Sequence, residues 1–311
     1  MSILLNNSPY DNGPWVYYLN KYLPSMDVWV YPEVPDPNKV KYAAIWDHPA
    51  NDLERYPNLC AILNLGAGMD LIDKMPSLPR VPIVRLVDPE VGTDMAQYTL
   101  YWVLHFQRNF EPYRRYAAQR EWHRIEYVTS LNYRVLVVGL GLIGTQIAEY
   151  LAANRFAVTG WSRNPKQVDG VTCVNGDDGL NTALAETDVV VNCLPYNSST
   201  EGFLNEHKLG QLPKGANVIN VSRGAVIDEA ALIAALESKH IGAAALDVFV
   251  TEPLPQESPL WTMPNVFVTP HMSGATFARS ACRTLADNIE RLEAGEEAFP
   301  LYVPPQHQDA K

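Results

Sequence analysis

Short apolar runs alternate with segments of helical periodicity through the middle of the chain. After the first run, Ile143, Ile147 and Leu151 recur at every fourth position, which places them along one face of a helix. Runs that are apolar at nearly every position predict strands buried on both faces, as a parallel sheet covered by helices requires. The six runs are residues 134–138, 157–161, 188–194, 217–221, 242–248 and 266–269. Their alternation with helices predicts a doubly wound α/β domain.

A weaker version of this alternation occupies the first 90 residues. Its apolar runs are residues 3–5, 28–30, 42–46, 59–63 and 81–84. Two longer stretches, from about Pro89 to Arg108 and from about Gly274 to Glu293, have helical periodicity and predict helices that cross between two domains. A third helix is predicted from Asp228 to Lys239, because the aspartate can cap its first turn.

Glycine and proline are distributed unevenly along the chain. Residues 91–250 contain 13 of the 18 glycines but only four of the 24 prolines. The 311 residues also exceed what one core usually holds, so two domains are expected. We predict that residues 98–272 form one continuous domain, and that residues 1–97 and 273–311 together form the other.

Charge and cysteine content exclude several classes of protein. Acidic residues outnumber basic ones by 35 to 24, a net charge of -11, and no basic run occurs, so nucleic acid and membrane surfaces are not expected partners. The amino terminus has no signal-peptide pattern, which predicts a cytoplasmic protein. The four cysteines show no metal-ligand spacing, so no metal site is expected and the thiols are predicted to be reduced and mostly buried. They are Cys60, Cys173, Cys193 and Cys282.

A glycine-rich turn follows the strand predicted to end at Val138. It has the spacing GxGxxG at Gly139, Gly141 and Gly144, and a helix follows directly. Such a turn lets the backbone and the free N–H groups of the helix approach a pyrophosphate, so we predict a dinucleotide site. Cofactor contacts are expected from Gly139, Gly141, Leu142, Ile143 and Gly144.

The end of the next strand indicates which cofactor binds. A site that prefers NAD usually has an acidic residue here, which accepts hydrogen bonds from the ribose hydroxyls. This chain instead has Ser162, Arg163 and Lys166, which can hold a 2'-phosphate. We therefore predict a preference for NADPH, with NADH as a possible cofactor. The alternative is that these residues are ordinary surface cations.

Three reactive side chains follow three of the predicted strands. Arg223, Glu252 and His271 each come after the carboxyl end of a strand, the edge at which doubly wound sheets bind ligands. Singly, each has a structural explanation, such as a surface cation or a hydrogen-bond donor. Together they predict a catalytic group.

These segments resemble the D-isomer-specific 2-hydroxyacid dehydrogenase family over most of the chain. The resemblance rests on the ordered set GxGxxG, VSRGAVID, LDVFxxEPLP and TPH. Trp46, the segment from Asn64 to Asp70, and Trp-Ser-Arg in place of the acidic cofactor residue resemble its glyoxylate and hydroxypyruvate reductase branch. The resemblance implies two Rossmann-like domains with doubly wound parallel sheets. The smaller is flavodoxin-like, discontinuous and substrate-binding, the larger binds the dinucleotide, and a homodimer is usual.

The implied reaction is NADPH-dependent reduction of a small 2-keto acid, such as glyoxylate or hydroxypyruvate, to the D-2-hydroxy acid. Arg223 would bind the carboxylate and carbonyl oxygens of the substrate with its planar fork. Protonated His271 would act as general acid, and Glu252 would orient the ring and favour its charged form. Reduction would then weaken as pH rises and His271 loses its proton.

Further site residues follow from the resemblance alone. The amides of Ala67, Gly68 and Met69 would hold the substrate carboxylate. Trp46 would line the substrate pocket, although a core tryptophan fits the sequence equally well. Additional cofactor contacts are expected from Leu194, Pro195, Val221, Ser222, Asp247 and Gly274.

Some positions depart from the reductase branch and leave the substrate open. The branch tends to have Thr-Arg after the histidine motif, where this chain has Thr276 and Phe277, with Arg279 two positions later, and it has Gln97 where a glutamate is common. Phe277 and Trp46 would also suit a bulkier aliphatic or aromatic 2-keto acid. A third hypothesis is a non-catalytic protein that senses dinucleotides.

Overall fold

The structure is a computed structural model that describes residues 1–307, with the side chain of residue 306 left out. It divides into two compact units. One contains residues 1–91 and the carboxyl-terminal residues from Thr276, and the other contains Gly92–Ala275. The first unit is therefore discontinuous in sequence. The predicted boundaries at residues 97 and 273 lie within a few residues of these.

Strands and helices of the described residues are numbered here in chain order. The strands are β1 (Ser2–Asn6), β2 (Asp27–Val30), β3 (Val40–Ile45), β4 (Ala61–Asn64), β5 (Ile83–Val84), β6 (Arg134–Val138), β7 (Ala157–Ser162), β8 (Thr172–Asn175), β9 (Val189–Asn192), β10 (Ala216–Asn220), β11 (Ile241–Leu246), β12 (Val266–Val268) and β13 (Leu301–Tyr302). The α-helices are α1 (Gly13–Tyr22), α2 (Asp70–Asp73), α3 (Pro89–Gln107), α4 (Phe110–Gln119), α5 (Leu142–Ala153), α6 (Gly176–Ala185), α7 (Glu206–Gln211), α8 (Glu229–Glu237) and α9 (Ala278–Glu293).

The second unit contains a seven-stranded sheet in which every pairing is parallel. Its order is β12-β11-β10-β9-β6-β7-β8, so the chain changes direction across the sheet between β6 and β9. Such a switch point leaves a crevice at the carboxyl ends of the two strands, where this class of sheet binds ligands. The sheet confirms the predicted doubly wound α/β fold.

The predicted strands form because their side chains are buried on both faces of the sheet. Val135, Leu136, Val137 and Val138 are all at most 1% exposed. Asp228 caps α8 as predicted, since its carboxylate accepts a hydrogen bond from the Ala231 amide at 3.0 Å. These local preferences agree with the tertiary fold.

The first unit contains a smaller, six-stranded sheet. Its order is β13-β5-β4-β3-β1-β2, the flavodoxin-like arrangement with β13 added as an antiparallel edge. Side chains alternate between two cores, so that Ile3 and Leu5 pack with the cluster that includes residues of α1 and α9, while Leu4 packs in the opposite cluster.

Some local predictions differ from the structure. Strands β8 and β13 were not predicted, and α9 begins at Ala278, four residues after the predicted start. All four cysteines are free; Cys282 is buried and Cys173 and Cys193 are half-buried, but Cys60, directly before β4, is exposed, against the prediction of mostly buried thiols. Within residues 1–307, no helix is both long and apolar enough to span a bilayer.

Candidate active site

The glycine-rich turn joins β6 to α5 at the switch point of the larger sheet. Gly139 has a φ of +107°, a conformation that L-residues with a side chain rarely adopt. A Cβ at Gly144 would lie 1.9 Å from the Gly139 carbonyl oxygen, so close packing of helix on strand requires glycine there.

Gly141 differs from its two neighbours in the motif. No atom of the described residues lies within 4 Å of the position that a Cβ at Gly141 would take, and its φ of -74° suits any residue. The fold itself therefore does not require glycine at this position. A ligand bound against the turn would require glycine there, because the methyl group of an alanine would occupy the space that the ligand needs.

Ser162, Arg163 and Lys166 lie at and just after the carboxyl end of β7, the strand that pairs with β6. The Lys166 ammonium donates to the Leu140 carbonyl, inside the glycine-rich turn. The Arg163 guanidinium donates to Ser199 Oγ at 2.9 Å, and Ser162 Oγ donates to the Asn164 carbonyl at 2.7 Å. Two exposed cations thus stand where an NAD-preferring site has a carboxylate.

Two buried asparagines position the loops that follow β9 and β10. Asn192 Nδ2 donates to Asn220 Oδ1 at 2.9 Å, and the Asn192 side-chain oxygen accepts from the Leu194 amide at 3.2 Å. Asn220 accepts from the Ser222 amide at 3.2 Å and donates to the Arg223 carbonyl at 3.1 Å. Ser222 Oγ also donates to the Leu194 carbonyl, so the two loops form one hydrogen-bonded group.

Gly224 brings the arginine loop against the segment that carries Glu252. A Cβ at Gly224 would lie 1.9 Å from the Phe249 carbonyl carbon and 2.3 Å from the Val250 nitrogen. Only glycine permits this backbone approach. Arg223 is half-buried beside it, and its guanidinium Nη1 donates to the Ser222 carbonyl at 2.8 Å.

Glu252 and His271 form a directly hydrogen-bonded pair. Glu252 Oε2 lies 2.7 Å from His271 Nδ1, and Oε1 accepts from the Phe249 amide at 3.0 Å. Burial alone would raise the pKa of the Glu252 carboxyl, but the hydrogen bonds from His271 and Phe249, with the charges of His271 and Arg223, lower this pKa below its ordinary value. The ionised carboxylate fixes Nδ1 as the protonated nitrogen and leaves Nε2 to face a ligand.

Asp247 holds the loop on which His271 lies. Its carboxylate is completely buried and accepts three hydrogen bonds, from Thr269 Oγ1 at 2.6 Å, the Met272 amide at 2.9 Å and the Ser273 amide at 2.8 Å. Its backbone carbonyl accepts from the His271 amide at 2.8 Å. Sequence reasoning gave Asp247 a place near the cofactor but missed this positioning of the histidine loop.

The remaining predicted cofactor residues occupy the same edge of the larger sheet. Leu142 is exposed at the start of α5, Ile143 is half-buried behind it, and Val221 is buried. Pro195 is exposed and Gly274 half-buried. Within residues 1–307, no cluster of three His, Cys, Asp or Glu side chains is suited to a metal ion.

The predicted substrate residues of the first unit lie on the loop after β4 and beside it. Trp46 is half-buried, packs against the core shared with α1 and α9, and covers Gly66 so closely that a Cβ there would come within 2.1 Å of its ring. Ala67 and Gly68 are half-buried, and Met69 is buried. Of the residues that depart from the reductase branch, Phe277 is half exposed and the Arg279 guanidinium pairs with Glu90 at 3.1 Å.

Comparison with known proteins places the chain in a family. Residues 100–273 match the model of the D-isomer specific 2-hydroxyacid dehydrogenase, NAD binding domain. The chain is 35% identical over 302 residues to glyoxylate/hydroxypyruvate reductase A of Photorhabdus laumondii, an alignment that covers 95% of this chain and 96% of that protein. It therefore belongs to the D-isomer specific 2-hydroxyacid dehydrogenase family, as its motifs predicted.

Solved structures agree with this assignment. The D-isomer specific 2-hydroxyacid dehydrogenase of Xanthobacter autotrophicus, solved with NADPH and MES, is 40% identical, with a TM-score of 0.94 over 98% of each chain. The NADPH-dependent glyoxylate/hydroxypyruvate reductase of Sinorhizobium meliloti, solved with NADP and sulfate, is 30% identical, with a TM-score of 0.90 over 97% of each chain.

Proposed function

We propose that this chain catalyses the NADPH-dependent reduction of a small 2-keto acid, such as glyoxylate or hydroxypyruvate, to the D-2-hydroxy acid. The observation that carries the proposal is the Glu252–His271 pair, hydrogen-bonded at 2.7 Å in the same sheet edge as Arg223 and the glycine-rich turn. The names of the similar reductases support the substrate class.

The residues around the turn suit NADPH. The open space at Gly141 and the N–H groups at the start of α5 would receive the pyrophosphate. Arg163, Lys166 and Ser162 would hold the 2'-phosphate, and Leu194, Pro195, Val221, Ser222, Asp247 and Gly274 complete the proposed cofactor site. The bound nicotinamide supplies the hydride.

The protein supplies charge and a proton. The guanidinium of Arg223 would bind the carboxylate and the carbonyl oxygen of the substrate, stabilising the negative charge that develops on that oxygen. His271 would give the proton on Nε2 to this oxygen, while Glu252 holds the ring by Nδ1. The amides of Ala67, Gly68 and Met69 would provide a further hold on the carboxylate, with Trp46 beside them.

Oxidation of NADPH, followed by absorbance with a panel of acids from glyoxylate to phenylpyruvate, tests the proposal. We expect the highest kcat/KM with glyoxylate or hydroxypyruvate. Equal turnover across the panel would contradict the small-substrate preference, and no turnover with any 2-keto acid would contradict the activity.

Cofactor preference is tested by Arg163→Ala, with the exposed Lys214→Ala as the matched control. Loss of a cation that pairs with a phosphate is expected to lower kcat/KM for NADPH about tenfold and to leave the value for NADH nearly unchanged. A wild-type kcat/KM for NADH that equals or exceeds the value for NADPH would contradict the assigned role of Arg163.

We further propose that the protein is a homodimer in the cytoplasm. Large aromatic side chains are exposed on α3, on α4 and in the segment after it: Tyr101 is 54% exposed, Phe110 50%, and Trp122 completely. Exposed aromatic surface of this kind marks protein interfaces, and a second copy is the proposed partner. Four free thiols support a reducing compartment.

A further inference from the structure

A buried asparagine lies directly beneath the loop of the first unit that follows β4. Asn64 is the last residue of β4 and is completely buried. Its side-chain Nδ2 donates to two carbonyl oxygens of this loop, that of Gly66 at 2.6 Å and that of Gly68 at 2.7 Å. One amide group thus fixes two peptide planes that are two residues apart.

The orientation of these two planes determines where their N–H groups point. In a planar trans peptide, the C=O of one residue and the N–H of the next point in opposite directions. Because the Gly66 and Gly68 carbonyls both point to Asn64, the N–H groups of Ala67 and Met69 point away from it. Arg85 Nε donates to the intervening Ala67 carbonyl at 2.9 Å, which fixes the third plane of the loop.

The N–H groups so presented are available to a ligand. Within residues 1–307, no acceptor takes the N–H of Ala67, Gly68 or Met69. The Asn64 oxygen, Oδ1, is likewise buried without a partner among the described residues. Burying an unpaired amide oxygen is unfavourable, so the contribution of this side chain to the loop comes from the N–H donors of Nδ2 and not from its acceptor.

We propose that Asn64 is a positioning residue that turns the loop amides toward the carboxylate of the 2-keto acid. The inference rests on the proposed function and adds a residue that acts through Ala67 and Met69 without touching the substrate. A loop whose carbonyls were not held would present a mixture of C=O and N–H groups to the anion, and the exposed carbonyls would repel it.

Three substitutions of Asn64 test this role. Asn64→Asp keeps the shape but replaces the donors by acceptors, Asn64→Leu removes both, and Asn64→Ser keeps a single hydroxyl donor. Each variant is assayed for the KM and kcat with glyoxylate and for NADPH affinity by fluorescence. Each is also assayed for inhibition by oxalate, which carries the same carboxylate group as glyoxylate but has no aldehyde carbonyl to be reduced. The matched control is Asn288→Leu, which removes another buried asparagine of the same unit, one that bonds Thr284 and Phe299 instead of the loop.

We expect the Asp and Leu variants to raise both the KM for glyoxylate and the inhibition constant for oxalate at least about tenfold, with a smaller rise for Ser. NADPH affinity should stay within about twofold, and Asn288→Leu should lower Tm without changing KM. Unchanged oxalate inhibition in folded Asn64 variants would overturn the inference, as would unfolding of all three, which would show a role in stability alone. Failure of the proposed function is distinguishable, since it would appear as absent turnover in the wild type.

Discussion

His271 is held by one hydrogen bond to its ring and another to its backbone. Its Nδ1 meets Glu252, and the carbonyl of Asp247 accepts from its amide. Only Nε2 is then left to exchange a proton with a ligand. Replacement of His271 by Gln is expected to lower kcat for reduction about a hundredfold or more, because the proposed general acid is lost. Steady-state kinetics checks this, with unchanged NADPH affinity as the control, and a variant with full kcat would contradict the role of His271.

The Glu252 carboxylate is expected to set how the proposed reaction responds to low pH. Its lowered pKa means that the carboxylate remains charged at neutral pH, and that the ion pair is lost only as pH falls through that lowered value. In Glu252→Gln no carboxyl titrates at this position, so the loss of kcat/KM that accompanies protonation of the wild-type carboxylate at low pH should disappear, and kcat/KM at neutral pH should be lower because the ring has lost its charged partner. Profiles of kcat/KM against pH check this, and coincident profiles would contradict the pairing.

At the scale of elements, the same residue type ends several strands. Strands β1, β4, β8, β9 and β10 all close with an asparagine, and outside the edge strand β8 these side chains are at most 3% exposed. The four buried ones are Asn6, Asn64, Asn192 and Asn220. The side-chain amide of an asparagine at the end of a strand can donate a hydrogen bond to a backbone carbonyl of the following loop and accept one from a backbone N–H of that loop. This pattern is visible in the sequence and could have pointed to the loop supports that sequence reasoning missed.

Alanine substitutions at Gly144 and Gly141 separate the structural role of the β6–α5 turn from its proposed role in cofactor binding. In Gly144→Ala the new Cβ would clash with the Gly139 carbonyl, so Tm should fall whether or not cofactor is present. In Gly141→Ala the Cβ enters open space, so Tm of the free protein should stay near the wild-type value while NADPH affinity falls about tenfold or more. Thermal melts and NADPH titrations distinguish them, and a Gly141→Ala protein with full affinity would contradict the site.

Burial explains which elements the sequence could predict. Strand β6 was predicted at its observed bounds because apolar residues fill nearly the whole strand. Strand β8 was missed because it lies at the edge of the sheet, where its two polar residues are exposed and its other two are only half-buried. Strand β13 has two residues and exists through its pairing with β5, a contact with a residue more than 200 positions away.

The candidate site was predictable to a lesser degree than the fold. Motif spacing identified Arg223, Glu252 and His271, since each follows a strand that the apolar pattern reveals. The contacts of Asp247 with the histidine loop were not predictable, because three of its partners become neighbours only when β11 and β12 pair. The hydrogen-bond partners of buried polar side chains are generally residues brought close by the tertiary fold. A sequence pattern therefore predicts that a side chain is buried more readily than it predicts the hydrogen-bond partner.

At the scale of the whole molecule, the proposed dimer makes a measurable prediction. Trp122→Glu places a charge where an aromatic side chain is completely exposed in the single chain. We expect the wild type to be a dimer in light scattering coupled to gel filtration, and the variant to dissociate at micromolar concentration because burying the carboxylate is unfavourable. Lys214→Glu serves as the control for added charge, and a monomeric wild type would contradict the proposal.

The contact between Gly224 and Phe249 limits how this protein can be altered. The two residues belong to segments that follow different strands, and one carries Arg223 while the other leads to Glu252. Neither segment can change its backbone path without displacing the other, so mutations in one will show epistasis with mutations in the other. An engineer who transplants loops from a relative should therefore move both segments as a single module, or keep Gly224 and vary only the side chains around it.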